Sequence, residues 1–144
     1  MKYFSLLLFL SIIISSCKKK EEQTTTPEIE FVSISPGSAV EYSNSITITI
    51  SYDDLDGDLG ENDASVSNLF VTDSRNSVQY NYRISQLAPD DANIHIRGNL
   101  NIVIKNTAIT DGSSSQSVSY SVYLKDRAGN ESNTVTTDAI TVTK

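Results

Sequence analysis

The stretch Ser45-Ile46-Thr47-Ile48-Thr49-Ile50-Ser51-Tyr52 has the clearest two-residue repeat in the chain. Isoleucine or tyrosine occupies every second position, and serine or threonine occupies the positions between. Successive side chains of a β-strand point to opposite faces, so this pattern gives one apolar face and one polar face. Such alternation is typical of a half-buried antiparallel strand. The stretch therefore predicts a β-sheet with one face against a core.

Six further segments predict strands, most of them by the same two-residue period, and no segment after residue 28 has the 3.6-residue apolar stripe of a helix. They are residues 29–34, 67–72, 78–85, 100–104, 117–124 and 134–143. In the last segment the apolar residues change parity between Val135 and Ile140, which predicts a bulge or break near Thr137-Asp138. Seven short strands predict an all-β domain over residues 28–144, a two-sheet antiparallel sandwich.

The C-terminal part of the chain carries a more specific signal. Its sequence is Tyr120-Ser121-Val122-Tyr123-Leu124-Lys125-Asp126-Arg127-Ala128-Gly129-Asn130-Glu131-Ser132. This segment resembles the penultimate strand and final hairpin of bacterial Ig-like domains, which often read Tyr-x-Val and then Asp-x-Ala-Gly-Asn-x-Ser. The resemblance implies a seven-stranded Ig-like or fibronectin III-like sandwich, with Tyr120 as a tyrosine corner whose hydroxyl bonds nearby backbone. One cysteine and no tryptophan exclude an antibody-type domain.

The N-terminus has the layout of a secretory signal. A basic start, Met1-Lys2, precedes an apolar run over residues 3–14, which is too short to span a bilayer. Ile14-Ser15-Ser16-Cys17 then resembles the lipobox of bacterial lipoproteins, with Ile where Leu is commonest. The resemblance implies a signal peptide over residues 1–16 and a mature N-terminus at Cys17 that carries diacylglycerol and an N-acyl chain such as palmitate. The alternatives are an ordinary signal peptide with an incidental cysteine, or an uncleaved anchor.

Residues 17–27 join the proposed lipid anchor to the domain. Apart from Cys17 this segment has no apolar side chain before Pro27, which predicts a flexible tether. Lys20-Glu21-Glu22 resembles the Lys and acidic residues that some Gram-negative bacteria place after the lipidated cysteine to send lipoproteins to the cell surface. Outer-membrane anchoring with surface display is the resulting expectation. A plain charged spacer on a periplasmic lipoprotein is the alternative.

The net charge of the predicted domain limits the kinds of partner that it can bind. From Glu28 onward the chain has 16 acidic and 7 basic side chains, a net charge of about −9. Such a surface repels phosphate backbones, so we expect no nucleic-acid partner. It favours solubility and the binding of cations.

The acidic charge is concentrated directly after the Ser45–Tyr52 strand. Six carboxylates occupy the eleven positions 53–63. Carboxylates this close repel each other by about 1 kcal/mol per pair at 4 Å even in water, so a hard divalent cation is expected to compensate. Asp54, Asp56 and Asp58 offer oxygens at alternate positions, as EF-hand loops do, but the glycine and the twelfth residue do not match that motif.

In such a sandwich, the loops that follow the second, fourth and sixth predicted strands emerge at one end. These loops carry residues 53–63, Asp90-Asp91 and residues 126–131. We therefore predict a structural calcium site from Asp54, Asp56, Asp58 and Asp126, with Asp53, Asp63 and Asp90 as further candidates. Magnesium demands tighter geometry, and zinc lacks its usual His or Cys ligands here. The alternative is a solvated acidic turn that binds no specific ion.

Catalytic signatures are weak. His95 is the only histidine, and no Gly-x-Ser-x-Gly or Ser-x-x-Lys motif occurs. We expect a non-enzymatic, lipid-anchored binding or spacer module that contacts an envelope protein or a glycan. Two alternatives are an accessory subunit of an outer-membrane assembly and, with the least support, a small hydrolase that uses paired carboxylates.

Overall fold

A computed structural model describes residues 25–144, and all regular secondary structure in that part of the chain is β. The ten strands are β1 (Glu28–Ser35), β2 (Ser38–Val40), β3 (Ile46–Asp54), β4 (Leu69–Asp73), β5 (Gln79–Tyr82), β6 (Ile96–Ile104), β7 (Ser115–Val118), β8 (Tyr120–Leu124), β9 (Val135–Thr136) and β10 (Ile140–Thr143). The prediction of an all-β domain is confirmed. The signal peptide, Cys17 and most of the tether lie outside the described residues.

The strand count is ten, not the predicted seven. The predicted sixth strand is divided at Ser119 into β7 and β8, and the predicted last strand is divided into β9 and β10. The break predicted near Thr137-Asp138 is therefore confirmed. The third extra strand, β2, lies between the first two predicted strands and belongs to a different sheet from both.

The strands form three sheets, in the orders β1-β3-β6, β5-β4-β8-β9 and β2-β10-β7. All pairings are antiparallel except that of β2 with β10, which is parallel and corrects the purely antiparallel prediction. The second and third sheets adjoin along the chain, because β8 follows β7 and β10 follows β9. Thr137 joins them: its N–H donates to the carbonyl of Tyr120 at 2.9 Å, and its Oγ1 accepts from the Tyr120 N–H at 3.0 Å.

The core lies along β3 as the isoleucine repeat predicts. Ile46, Ile48 and Ile50 are fully buried, and the threonines between them are half-buried on the opposite face. β3 pairs with β6 in one continuous register on one side, and on the other side it pairs with β1, where a bulge between Phe31 and Ser33 shifts the register. It is therefore the central strand of its sheet. Alternate residues of β4 and β8 complete the core from the second sheet.

A buried ion pair, which the sequence patterns did not predict, closes the turn after β4. Asp73 and Arg75 are joined by two hydrogen bonds, from Nε to Oδ1 at 3.0 Å and from Nη2 to Oδ2 at 2.7 Å. The Arg75 guanidinium also donates to the carbonyl of Ala108 and to the Gln116 side chain, so it fixes the loop that precedes β7. The nearby Tyr120 ring is buried as expected, but among the described residues its hydroxyl has no hydrogen-bond partner, unlike that of a tyrosine corner.

Replacing Ile48 with alanine should test the position of the core. Ile48 is fully buried, so Ile48→Ala should lower the free energy of unfolding by about 2 to 5 kcal/mol in a denaturant titration. The control is Val32→Ala on β1, where the side chain is 50% exposed, and it should change the free energy by less than about 0.5 kcal/mol. Equal effects of the two substitutions would contradict this placement of the core.

Candidate metal centre

The acidic loop begins inside β3, because the last residue of that strand is Asp54. Residues 46, 48 and 50 point into the core, and Asp54 occupies a position of the same parity. Its side chain is fully buried as a consequence. One carboxylate oxygen, Oδ2, accepts the backbone N–H of Leu59 at 2.8 Å. Leu59 is itself fully buried, and it anchors the loop to the core.

Three carboxylates of this loop meet around one point. Asp54, Asp56 and Asp58 each offer an oxygen, and these oxygens all lie within 4.8 Å of one another. The Oδ1 atom of each residue is buried and has no hydrogen-bond partner among the described residues. An unpaired buried carboxylate oxygen is costly, and three of them converge here. The three carboxylates lie close enough together to hold a metal ion through oxygen atoms alone.

Two glycines let the loop pass close to the segment that precedes β6. Gly57 has a φ of 77°, and a Cβ atom there would lie 2.3 Å from the carbonyl oxygen of Ile94. Gly60 has a φ of 91°, and a Cβ atom there would lie 2.3 Å from the carbonyl oxygen of Ser85. Both the backbone conformation and the space therefore require glycine at these positions.

The hairpin after β8 completes the site from a third segment. The N–H of Arg127 donates to the carbonyl of Asp58 at 3.2 Å, and the N–H of Ala128 donates to Asp58 Oδ2 at 3.0 Å. The Arg127 guanidinium donates to the carbonyl of Gly60 at 2.9 Å. The structure thus brings the loops over residues 53–63, 84–95 and 126–130 together at one end of the domain.

Asp126, the fourth residue of the predicted ligand set, has a different set of contacts. It is buried, but its Oδ1 accepts the N–H of Asn130 and its Oδ2 accepts the Asn130 side-chain amide, both at 2.7 Å. Asp126 is not among the carboxylates that lie within 4.8 Å of one another. It shapes the hairpin that carries Arg127 and Ala128, and its charge acts on Asp58 from outside the cluster.

The three further candidates lie apart from the cluster and bind other groups. Asp53 faces the opposite side of β3, where its Oδ1 lies 2.7 Å from His95 Nε2. Asp63 accepts the backbone N–H and the hydroxyl of Ser65. Asp90 accepts the amide of Gln86 and lies 3.6 Å from the guanidinium of Arg127.

The carboxylates of the cluster affect each other's protonation. Burial, and then the hydrogen bond that a protonated Asp54 can donate to Asp56, raise the pKa of Asp54 from 3.8 to about 6. Burial and the nearby charge of Asp126 raise the pKa of Asp58. Within residues 25–144 no lysine, arginine or histidine forms an ion pair with the three clustered residues. The charge of the Arg127 guanidinium acts on Asp58 without forming an ion pair with it, so a proton or a bound cation would compensate the remaining charge.

A surface depression beside β1, β3 and β6 is a separate feature. It has a volume of about 450 Å³ and is lined by Glu28, Glu30, Asp53 and Arg97 among others, but by none of the clustered carboxylates. The carboxylate cluster thus does not line this depression. Its chemistry suits the holding of an ion better than the binding of a substrate.

Comparison of the chain with models of known protein families gives no match, and comparisons with curated proteins and with solved structures give none either. Over residues 25–144 the structure contains no helix with the length and apolar character that a bilayer crossing requires.

The raised pKa of Asp54 predicts how stability depends on pH. Without metal, the folded state holds a proton on Asp54 more tightly than the unfolded state does, so this stabilisation is complete below pH 3.8 and is lost as the pH rises through about 6. The melting temperature of the chelated wild type, compared with that of Asp54→Asn, should therefore fall between pH 5 and pH 7. Parallel pH profiles for the two proteins would contradict this prediction.

Proposed function

We propose that this chain is a lipid-anchored, non-enzymatic binding or spacer module of the bacterial cell envelope, whose Ig-like domain is stabilised by calcium. The observation that carries the proposal is the cluster of Asp54, Asp56 and Asp58, with three buried carboxylate oxygens that lack partners among the described residues. A cation at this point would neutralise the repulsion between them and hold the loop in its folded conformation.

The Ig-like part of the proposal is supported by strand order. The β1-β3-β6 sheet corresponds to strands A, B and E of an Ig-like sandwich, and the β5-β4-β8-β9 sheet corresponds to C′, C, F and G. Under this assignment β2 continues strand A after a break, and β10 continues strand G after a break. β7 forms the first part of strand F, which β8 continues. The three additional strands then arise from division or extension of the seven that the sequence predicts.

Calcium fits the cluster better than zinc or copper does. All of the ligand atoms are carboxylate oxygens, whereas zinc and copper sites in proteins use nitrogen or sulfur. Three protein ligands leave several coordination positions for water, which a flexible calcium shell accepts. The expected dissociation constant is about 0.1 to 1 mM, as in extracellular modules. The ion would stabilise the loop and, through Asp58, the 126–130 hairpin.

The envelope part of the proposal follows from the N-terminal sequence. Acylation at Cys17 provides two or more hydrocarbon chains, enough for stable attachment to a membrane. We infer outer-membrane attachment with surface display from Lys20-Glu21-Glu22. At the cell surface the domain would be exposed to millimolar calcium, the range in which such a site fills.

A thermal melt with and without calcium tests the cation. The full-length chain in detergent, followed by circular dichroism at pH 7.5, should melt roughly 4 to 10 °C higher in 2 mM calcium than in chelator. Asp54→Asn should abolish this shift, because it removes a charged ligand. The same variant should melt at or above the wild type in chelator, since its amide can donate to Asp56 as a protonated Asp54 would.

The matched control is Asp91→Asn, which changes the net charge equally at an exposed position outside the cluster. It should keep the full calcium response. An equal loss of the response in both variants would mean that calcium acts through general charge screening. No shift in the wild type would mean that the cluster binds no calcium.

Replacing Cys17 with serine tests the anchor. In cells fed an alkyne analogue of palmitate, the wild type should be labelled and recovered with membranes, and Cys17→Ser should be neither. Proteinase K added to intact cells should remove the domain of the wild type but spare a variant in which Lys20-Glu21-Glu22 is replaced by alanines. A labelled Cys17→Ser protein would disprove the anchor, and protection of the wild type would disprove surface display.

A further inference from the structure

The net charge of the domain lies at one end. The loops over residues 53–63, 84–95 and 126–131, here called the acidic tip, carry ten acidic side chains and one basic side chain, Arg127, a net charge of about −9. The rest of the chain from Glu28 onward carries six acidic and six basic side chains, which cancel. Hydrogen bonds between these loops hold them together beyond the end of β3. The whole excess of negative charge is therefore on the acidic tip.

The chain enters the domain at this same end. β1 runs antiparallel to β3, and its first residue, Glu28, is the register partner of Asp53. Pro27, directly before it, is buried. Since Asp54 follows Asp53 along β3, the N-terminal segment leaves the domain beside the clustered carboxylates.

Little chain separates this end of the domain from the proposed lipid anchor. Seven residues, 18–24, lie between Cys17 and Thr25, the first described residue. In any conformation they allow at most about 29 Å between the two Cα atoms. They carry three lysines and two glutamates, a net charge of about +1, so they do not offset the charge of the acidic tip. The phosphate groups of the lipid surface are thus within reach of the acidic tip.

The cation cluster gives the acidic tip a means of binding phosphate. Asp54 is fully buried, and its Oδ1 has no partner among the described residues. Asp56 and Asp58 are only half-buried, so the cluster lies near the surface of the acidic tip. The three residues offer one oxygen each, whereas calcium takes six to eight. Water fills the other positions in solution, and phosphate oxygens, which are hard anionic ligands, can replace it.

Screening limits the repulsion that opposes this contact. At physiological ionic strength the Debye length is about 8 Å, so carboxylates of the acidic tip farther than this from a phosphate repel it weakly. A phosphate oxygen in the calcium shell lies about 2.3 to 2.6 Å from the ion. Direct contact with calcium therefore outweighs the screened repulsion, and without calcium only the repulsion remains.

We propose that the acidic tip docks on the anionic phosphates of the lipid surface that holds the anchor, through calcium that Asp54, Asp56 and Asp58 share with phosphate oxygens. In the absence of calcium its negative charge holds the acidic tip away from that surface. The inference rests on the calcium site and the anchor of the proposed function, and it adds a ligand for the ion and an orientation for the domain.

Hydrogen–deuterium exchange of the acylated protein in vesicles tests the ligand. One set of vesicles is phosphatidylcholine, and the other contains 30% phosphatidylglycerol. At pH 7.5, 2 mM calcium should slow the exchange of residues 53–63 in both sets, because it fills the cluster. In the phosphatidylglycerol vesicles alone it should slow the exchange of all three loops by roughly a further threefold, and chelator should reverse this. Soluble glycerol phosphate added to the protein in detergent should not reproduce the further protection.

Energy transfer to a rhodamine-labelled lipid tests the orientation. Asn93→Cys carries the donor fluorophore on the acidic tip. Ser114→Cys carries it at the opposite end, because β6 runs from beside Asp54 to beside Ile46 and the 105–114 loop follows it. The thiol of Cys17 is acylated, so only the introduced cysteine is labelled. In phosphatidylglycerol vesicles, calcium should raise the transfer from position 93 at least twofold more than the transfer from position 114.

Two matched variants connect docking to the cluster. Asp54→Asn removes a ligand and should lose both calcium responses. Asp91→Asn makes the same change of charge at an exposed position of the acidic tip and should keep both.

The possible failures are distinguishable. Equal calcium protection in the two sets of vesicles, with the calcium-dependent melting shift intact, would overturn docking and leave the calcium site standing. A larger rise in transfer from position 114 than from position 93 would overturn the orientation. No effect of calcium on exchange in either set, together with no melting shift, would overturn the calcium site and this inference with it.

Discussion

Crowding of negative charge at the end of β3 is the constraint on which the acidic end of this domain depends. Asp54, Asp56 and Asp58 bring an oxygen each into one small volume, and Asp54 is fully buried there. Among residues 25–144 no cationic side chain forms an ion pair with these three carboxylates. The loop nevertheless has a defined path. The backbone N–H of Leu59 bonds Asp54, and Gly57 and Gly60 approach the 85–94 segment closely. The 126–130 hairpin bonds Asp58. A bound cation accounts for both facts.

A second buried carboxylate, Asp73, is compensated in a different way. Asp73, also fully buried, lies against the guanidinium of Arg75, and that arginine makes further hydrogen bonds to the 107–116 loop. Its charge is thus compensated within the chain. Among residues 25–144 the Asp54 cluster has no ion pair of this kind. Buried charge in proteins is usually paired or bound to metal, and this domain uses the first solution at Asp73. We propose the second at Asp54.

Local patterns in the sequence were enough for the fold class and for the centre of the site. The isoleucine repeat predicted β3, and the spacing of Asp54, Asp56 and Asp58 predicted their proximity. The division of the sixth predicted strand could not be predicted, because Val118, Tyr120, Val122 and Leu124 all point inward in one unbroken alternation. β7 and β8 pair with different strands, and the alternation does not indicate this change of partner at Ser119.

The predicted ligands that lie outside the cluster show what local sequence patterns cannot predict. The position of Asp126 in an acidic loop predicts a metal ligand, but both of its carboxylate oxygens accept hydrogen bonds from Asn130, four residues later. Asp53 is adjacent to Asp54 in sequence, yet strand alternation sends it to the other face. The full burial of Asp54 could have been predicted, since it continues the inward parity of Ile46, Ile48 and Ile50.

The most direct test of the central claim is an anomalous difference map from crystals of this protein grown with strontium in place of calcium. One strong peak is expected within about 2.7 Å of a carboxylate oxygen from each of Asp54, Asp56 and Asp58, since strontium takes the oxygen ligands of calcium at slightly longer distances. A map without a peak there, or with its strongest peak at the depression beside Glu28 and Glu30, would contradict it.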